Sequence, residues 1–263
     1  MGTWISHLRV AENLLAHSPD LDAACFACGN LAPDSGIPNA DWTQFDPPKA
    51  VTHFLQPGED EGRIADLAFY RQYLTAASRD ADPARYSFRL GYFCHLLCDN
   101  LWALRAGTRF KQDYASLFAA QGAHAWWELK RDWYGLDHQY VRDHPDSLFW
   151  RVFVPAPNPP SDLPFVPDAA LHHQLDHIRG YYSAPDPDVM PLDRPYPYLN
   201  AAAMDRFVAD ATAAVLQMLD ILQARRAPPD GATALDLLPA DQIAPYDPPL
   251  GDIAALRSAP MPE

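Results

Sequence analysis

The 263-residue sequence is poor in basic residues: 20 Lys and Arg stand against 34 Asp and Glu, a formal charge of −14. So acidic a chain does not hold nucleic acid through a broad basic face, which is what the phosphate backbone requires. Glycine is scarce at 12 residues, and neither a Gly-rich phosphate loop nor a nucleophile elbow occurs. The four cysteines are too few for a secreted disulfide scaffold. The opening MGTWISHLRV has no basic segment followed by an apolar run, and no later stretch reads as a membrane span. Both absences predict a cytoplasmic protein without a transmembrane segment. No alternating run flanked by turns reads as a strand, and no internal repeat is present.

What is there is core-forming material, with 48% hydrophobic and 12% aromatic residues, enough for a sizeable globular core. Apolar residues recur with helical spacing, which predicts an all-α fold. The expected helices run over residues 3–17, with Thr3 as N-cap, then 60–77, 85–104, 169–181 and 200–226. A long helical region over 111–142 should break near Gly122 and Gly135. Residues 18–48 are rich in Pro, Asp and Gly and read mostly as loop. The reading is one domain over 1–226 followed by a Pro-rich tail over 227–263, either wrapped on the surface or partly disordered.

The stretch RYSFRLGYFCHLLCDNLWAL, residues 85–104, is apolar on nearly every face, and a helix apolar all round is a buried helix. It nonetheless carries His95 and Asp99 one turn apart on one stripe. A buried ionised carboxylate is costly unless it is paired or bound to a metal. The nearest cations in sequence, Arg89 and Arg105, lie off that stripe. A core His–Asp hydrogen bond is the plainer account of the pair alone, and other candidate ligands along the chain favour a metal.

Those candidates are His7 in the first helix, Asp34 in a turn, His53 between Thr52 and Phe54, and His124 with Glu128 one turn apart. Asp132 extends the last stripe by another turn. Taken singly, His7 reads as a core histidine, Asp34 as an Asx-turn, and Glu128 and Asp132 as a solvated helix face. Cys25 and Cys28 have C-x-x-C spacing, and with Cys94 and Cys98 they could form a four-cysteine zinc site, though buried thiols are the simpler reading. His172, His173 and His177 on a short helix read as exposed histidines, with a second metal site as the alternative.

Imidazole and carboxylate ligands without thiolate suit catalytic zinc. In their order, SHLRVA, GNLAPDS, VTHF and HLLCDNLW resemble the zinc-dependent phospholipase C family, related to the S1/P1 nucleases. The resemblance covers about the first half of the chain. It implies an all-α fold and two or three Zn2+ ions that hydrolyse a phosphodiester by metal-activated water. It also implies that Asp34, His53, His95 and Asp99 hold a first metal and that Asp99 bridges to a second site with His7. His124 and Glu128 would hold a third, for which Asp132, one turn beyond, is a further candidate, and Asp34 would stand at the general base.

Two departures bear on metal number: Arg105 stands where the family has a further histidine, and Trp4, the family's amino-terminal ligand, lies inside the chain. The implied partner is a small phosphate ester or a lipid head group. Trp42, Phe45, Phe54 and Trp102 lie near the motifs and are candidates to line its pocket or simply to pack the core. The alternatives are a nuclease or phosphomonoesterase of the same fold, or a non-catalytic metal-binding or scaffold protein that retains it.

Overall fold

A computed structural model describes residues 2–41, 43–56, 63–75, 77, 79–184, 191–225 and 229–247. The fold is all-α, with a two-residue antiparallel pairing of Ile37–Pro38 with Phe45–Asp46 that the sequence had not suggested. In chain order the helices that matter are α1 (Trp4–His17), α2 (Ala23–Leu31), α3 (Lys49–Thr52), α4 (Asp66–Phe69), α5 (Pro83–Trp102), α6 (Thr108–Asp113), α7 (Ala115–Gln121), α8 (Ala125–Asp143), α9 (Asp168–Ser183) and α10 (Ala201–Ala224).

Helix α5 is the expected central helix. Asp82 caps it by accepting from the Arg85 amide at 3.0 Å, and Pro83 sits in its first turn, where a missing N–H costs nothing. From Ser87 to Trp102 every residue except Arg89 is buried. Helix α2 lies directly on it. This corrects the loop expected over 18–48, and Asp22 caps the new helix at the Cys25 amide, 2.9 Å away.

Two glycines explain how closely the two helices approach. A Cβ on Gly29 would fall 2.0 Å from the Phe88 carbonyl oxygen, and one on Gly91 would fall 2.2 Å from that of Phe26. Gly29 falls in the stretch read as loop and Gly91 on a stripe of the buried helix, and both serve as backbone contacts in the fold.

Elsewhere the helical region over 111–142 does break at Gly122, whose φ is 57°, but α8 runs unbroken through Gly135, which faces the Tyr196 ring. The helix expected over 60–77 is shorter, with α4 merging into a wide turn over Tyr70–Leu74, and residues 57–62 lie outside the described part. Helix α10 is long and apolar enough by composition to cross a membrane, contrary to the sequence reading. Its apolar face is a core face: Met204, Phe207, Val208, Val215, Met218 and Leu222 are buried against α1 and α5.

The described part of the tail is packed, with Leu235, Leu238 and Tyr246 in the core. Buried Asp66 anchors it, accepting from the Thr233 hydroxyl at 2.6 Å, the Ala234 amide at 2.7 Å and Asn100 at 2.7 Å. Tyr246 stands between the guanidinium groups of Arg105 and Arg206, 4.4 and 4.6 Å from its ring.

Candidate metal centre

The buried face of α5 meets α1, the end of α2 and the end of α3, and each supplies one or two polar groups. His95 is fixed first. Its Nδ1 lies 2.8 Å from the Asn30 carbonyl oxygen at the end of α2, so Nδ1 carries the proton and Nε2 is left bare. His53, just after α3, is fixed likewise. Its Nδ1 lies 3.1 Å from the Thr52 hydroxyl oxygen, and that hydroxyl donates to the Lys49 carbonyl at 3.3 Å. The His53 Nδ1–H therefore donates, and its Nε2 is bare as well.

These two bare nitrogens face one another at 3.3 Å. Asp99 Oδ2 lies 3.5 Å from the first and 3.6 Å from the second, buried and without a hydrogen-bond partner. Asp99 Oδ1 faces the other way, 3.2 Å from His7 Nε2 and 2.9 Å from the Gly2 amide that donates to it. The His7 and His95 rings stack, with centroids 3.9 Å apart. Asp34 closes the open edge. Its Oδ1 lies 3.4 Å from His53 Nε2 and 3.3 Å from Lys49 Nζ, and its Oδ2 accepts from Trp4 Nε1 at 2.9 Å. Of these ligand candidates Asp34 alone reaches solvent; the others are buried.

Two overlapping groups thus have the spacing to share an ion: His7, His95 and Asp99, and Asp34, His53 and His95. The donor set fits a cation. Three lone pairs converge on one buried region with no proton between them, which is repulsive until a positive charge occupies it. The electrostatics agree. Burial, then the charge of the other groups around them, pushes His7 and His53 down to about 4, so both are neutral ligands at neutral pH. Burial works to raise Asp34, but Lys49 and the two neighbouring histidines outweigh it and hold the carboxyl well below the usual range. Asp99 is held low in the same way, by His95 and His7 beside it.

The structure does not bring the third expected group into this cluster. His124 is exposed just before α8, and Glu128, one turn later, is half-buried; neither belongs to a group of three that could share an ion among the described residues. Asp132 is buried, but both its oxygens are used: Arg194 donates to one at 2.6 Å and the Tyr198 amide to the other at 2.7 Å. It is a structural acid. Arg105 turns away, pairing with Asp210 at 3.2 Å.

The four cysteines are free thiols, and they belong to no such group among the described residues. Burial raises Cys25 to about 11 and Cys28 to about 12, so both are thiols at neutral pH. His172 and His177 of α9 are also occupied, the first against the Pro159 carbonyl at 3.0 Å and the second edge-on to Trp4.

Of the aromatic candidates, Trp102 is packed among Trp133, Phe110 and Phe207, and Phe54 among Phe69, Tyr73 and Phe165; both are core. Phe45 is exposed, and Trp42 lies outside the described residues. The sequence reading missed Lys49, which pairs with Asp34. It also missed the Gly2 amide and the Asn30 carbonyl, which carry no side-chain signal.

No family model matches this sequence, and neither a curated protein nor a solved structure matches it.

Proposed function

We propose that the chain is a zinc-dependent phosphoesterase acting on a phosphodiester, with Asp34, His53, His95, Asp99 and His7 as its metal ligands. The observation that carries this reading is the convergence of bare His53 Nε2, bare His95 Nε2 and the unpartnered Asp99 Oδ2 on one region whose open edge is Asp34. The two oxygens of Asp99 face different imidazoles, which is how one carboxylate serves two adjacent ions. Zinc held there supplies Lewis acidity, acidifying water to a pKa of about 7 and neutralising charge on phosphate oxygens.

The chain's own groups do the rest. Asn30 and Thr52 hold the two imidazoles in the tautomer that binds. Ionised Asp34, at the solvent edge, accepts a hydrogen bond from water and orients it towards the ester. Lys49 stands beside it as a cation for the substrate's phosphate. Phosphate esters are preferred over other hydrolysable substrates because of the four-motif resemblance and the Lys49 charge beside Asp34.

A chromogenic phosphodiester assay before and after chelation, with zinc added back, tests the reading. Turnover that is lost on chelation and restored by zinc supports it; none under any zinc condition rejects it. A second reading, a closed zinc site that only stabilises the fold, is favoured by the burial of His7, His53, His95 and Asp99. It predicts zinc binding and a raised melting temperature without turnover.

A further inference from the structure

Four large hydrophobic side chains stand exposed among the described residues: Ile37, Phe45, Val51 and Trp127, the last at 64%. All four lie around the open edge of the metal centre. Ile37 begins the two-stranded pairing three residues after Asp34, a stretch of chain that reaches at most about 11 Å. Phe45 stands on the facing strand, opposite Pro38. Val51 is on α3, two residues from the Lys49 that pairs with Asp34 at 3.3 Å. Trp127 is joined to the same edge by contacts. Trp4 Nε1 donates to Asp34 at 2.9 Å, and the Trp4 ring lies 6.0 Å from the Tyr134 ring of α8. Trp127, Lys130, Arg131 and Tyr134 follow one another along one stripe of α8 at helical spacing. From Tyr134 back to Trp127 that stripe advances about 10 Å.

The far end of the stripe has little cover. Helix α7, just before it, buries none of its residues, and its Phe118 meets Trp126 edge-on at 5.0 Å. The Lys130 ammonium stands over the exposed Trp127 ring at 5.3 Å. Local charge runs against the rest of the chain. Over residues 109–131, Arg109 and Asp113 pair at 3.4 Å, which leaves Lys111, Lys130 and Arg131 against Glu128 in a chain of formal charge −14. Singly exposed apolar residues are ordinary on a protein surface. Four gathered at the mouth of one buried polar centre are not. An indole under a lysine head, with further cations beside it, suits the boundary between lipid head groups and acyl chains.

We propose that this rim docks on a phospholipid surface that contains anionic lipid, with Trp127 at the level of the head groups and the edge of the metal centre turned towards them. The inference rests on the phosphoesterase reading for its use: the ester would be met in a membrane and not free in solution. Apolar contact comes from both sides of the rim. Attraction to anionic lipid comes from the α8 side alone, because the two-stranded pairing brings the exposed carboxylates of Asp41 and Asp46.

Co-sedimentation of the full zinc-loaded chain with vesicles of phosphatidylcholine, alone or mixed with phosphatidylglycerol, tests this. Brominated acyl chains in the same vesicles report which tryptophan approaches them. The chain should bind the mixed vesicles more tightly than phosphatidylcholine alone, and added salt should weaken that binding. Trp127→Ala should weaken it about tenfold and Phe45→Ser about threefold. Lys130→Gln and Arg131→Gln should each cost about fivefold on the mixed vesicles. Trp127→Phe should keep most of the binding and lose most of the bromine quenching. Every variant should keep the zinc content and helical circular dichroism of wild type.

No binding to either vesicle would overturn the proposal, and so would binding that survives Trp127→Ala and Phe45→Ser together. A dimer that Trp127→Ala splits, with no vesicle binding, would make the rim a contact between two copies instead. If vesicles are bound through Trp127 yet no ester is hydrolysed, the hydrolase reading fails and the docking face stands. Hydrolysis of a soluble ester with no vesicle binding has the reverse meaning.

Discussion

Asp99 and Asp137 are both fully buried carboxylates, and the fold treats them in opposite ways. Asp137, on α8, accepts from the Thr3 hydroxyl at 2.8 Å and from the Tyr182 hydroxyl at 2.7 Å. Burial dominates and raises it to about 7, with those hydrogen bonds opposing the shift. It is a buried acid satisfied by neutral donors, and it fastens the start of α1. Asp66 is of the same kind, raised to about 6 with both oxygens occupied. Asp99 is surrounded instead by histidine nitrogens; one of its oxygens has no donor, and its carboxyl stays ionised. Burial alone therefore does not mark a metal ligand. What marks one is burial together with lone pairs aimed at lone pairs, because that arrangement is unfavourable until a cation arrives.

The sharpest way to break this contrast is to neutralise Asp99. Asp99→Asn, and separately His95→Ala, should lower zinc affinity at least a hundredfold, roughly 2.7 kcal/mol, and abolish the zinc-dependent rise in melting temperature. Competition with a chromogenic chelator measures the first effect and scanning calorimetry the second.

Asp137→Ala should act differently. It strands two hydroxyl donors and so costs about 1–3 kcal/mol for each donor left unsatisfied. Urea denaturation reads the loss, and zinc stoichiometry should hold once the protein is folded. An Asp137→Ala protein that folds normally but binds no zinc would erase the distinction.

The milder Asp137→Asn isolates charge from packing. Burial holds Asp137 at about 7 in the fold against an ordinary carboxyl value of 3.8, so its contribution is full below 3.8 and is lost as pH rises through 7. Wild type should therefore lose stability relative to Asp137→Asn by about 1.4 kcal/mol per pH unit across that window. Paired urea titrations at pH 4.5 and 7.5 give the difference, and an unchanged gap would show that Asp137 is not the buried neutral acid described.

The smallest effect belongs to the residues outside the cluster. His124→Ala, Glu128→Gln and the double replacement of Cys25 and Cys28 by Ser should each leave zinc content unchanged. The His124 and Glu128 changes should alter stability by no more than about 0.5 kcal/mol. Loss of one zinc per chain in either set would reinstate a site that the structure separates from Asp99.

How much of this was legible in the sequence differs from residue to residue. The buried helix and its His95–Asp99 stripe could be read from local pattern alone, because i and i+4 share a face in any helix. The meeting of His7, Asp34 and His53 with that stripe could not. With the stripe they span residues 7 to 99 and converge only through α1, α2 and α3, so motif order was the one clue. The same i,i+4 spacing made His124 and Glu128 look equivalent, although spacing cannot say which way a helix face will turn. Asp132 misled for a related reason, since its partner Arg194 lies far along the chain. Helix α2 was hidden because Gly29 reads as a breaker, and its real use, admitting the Phe88 carbonyl, depends on a helix elsewhere in the chain.

The central claim is that a cation belongs at the meeting point of His53, His95, Asp34 and Asp99. Diffraction from zinc-soaked crystals, collected above and below the zinc absorption edge, locates such an ion without reference to activity. The account predicts an anomalous peak in contact with His95 Nε2, His53 Nε2 and Asp99 Oδ2, absent in Asp99→Asn. A map with no peak at Asp99, or with zinc only at His124 and Glu128, would contradict it.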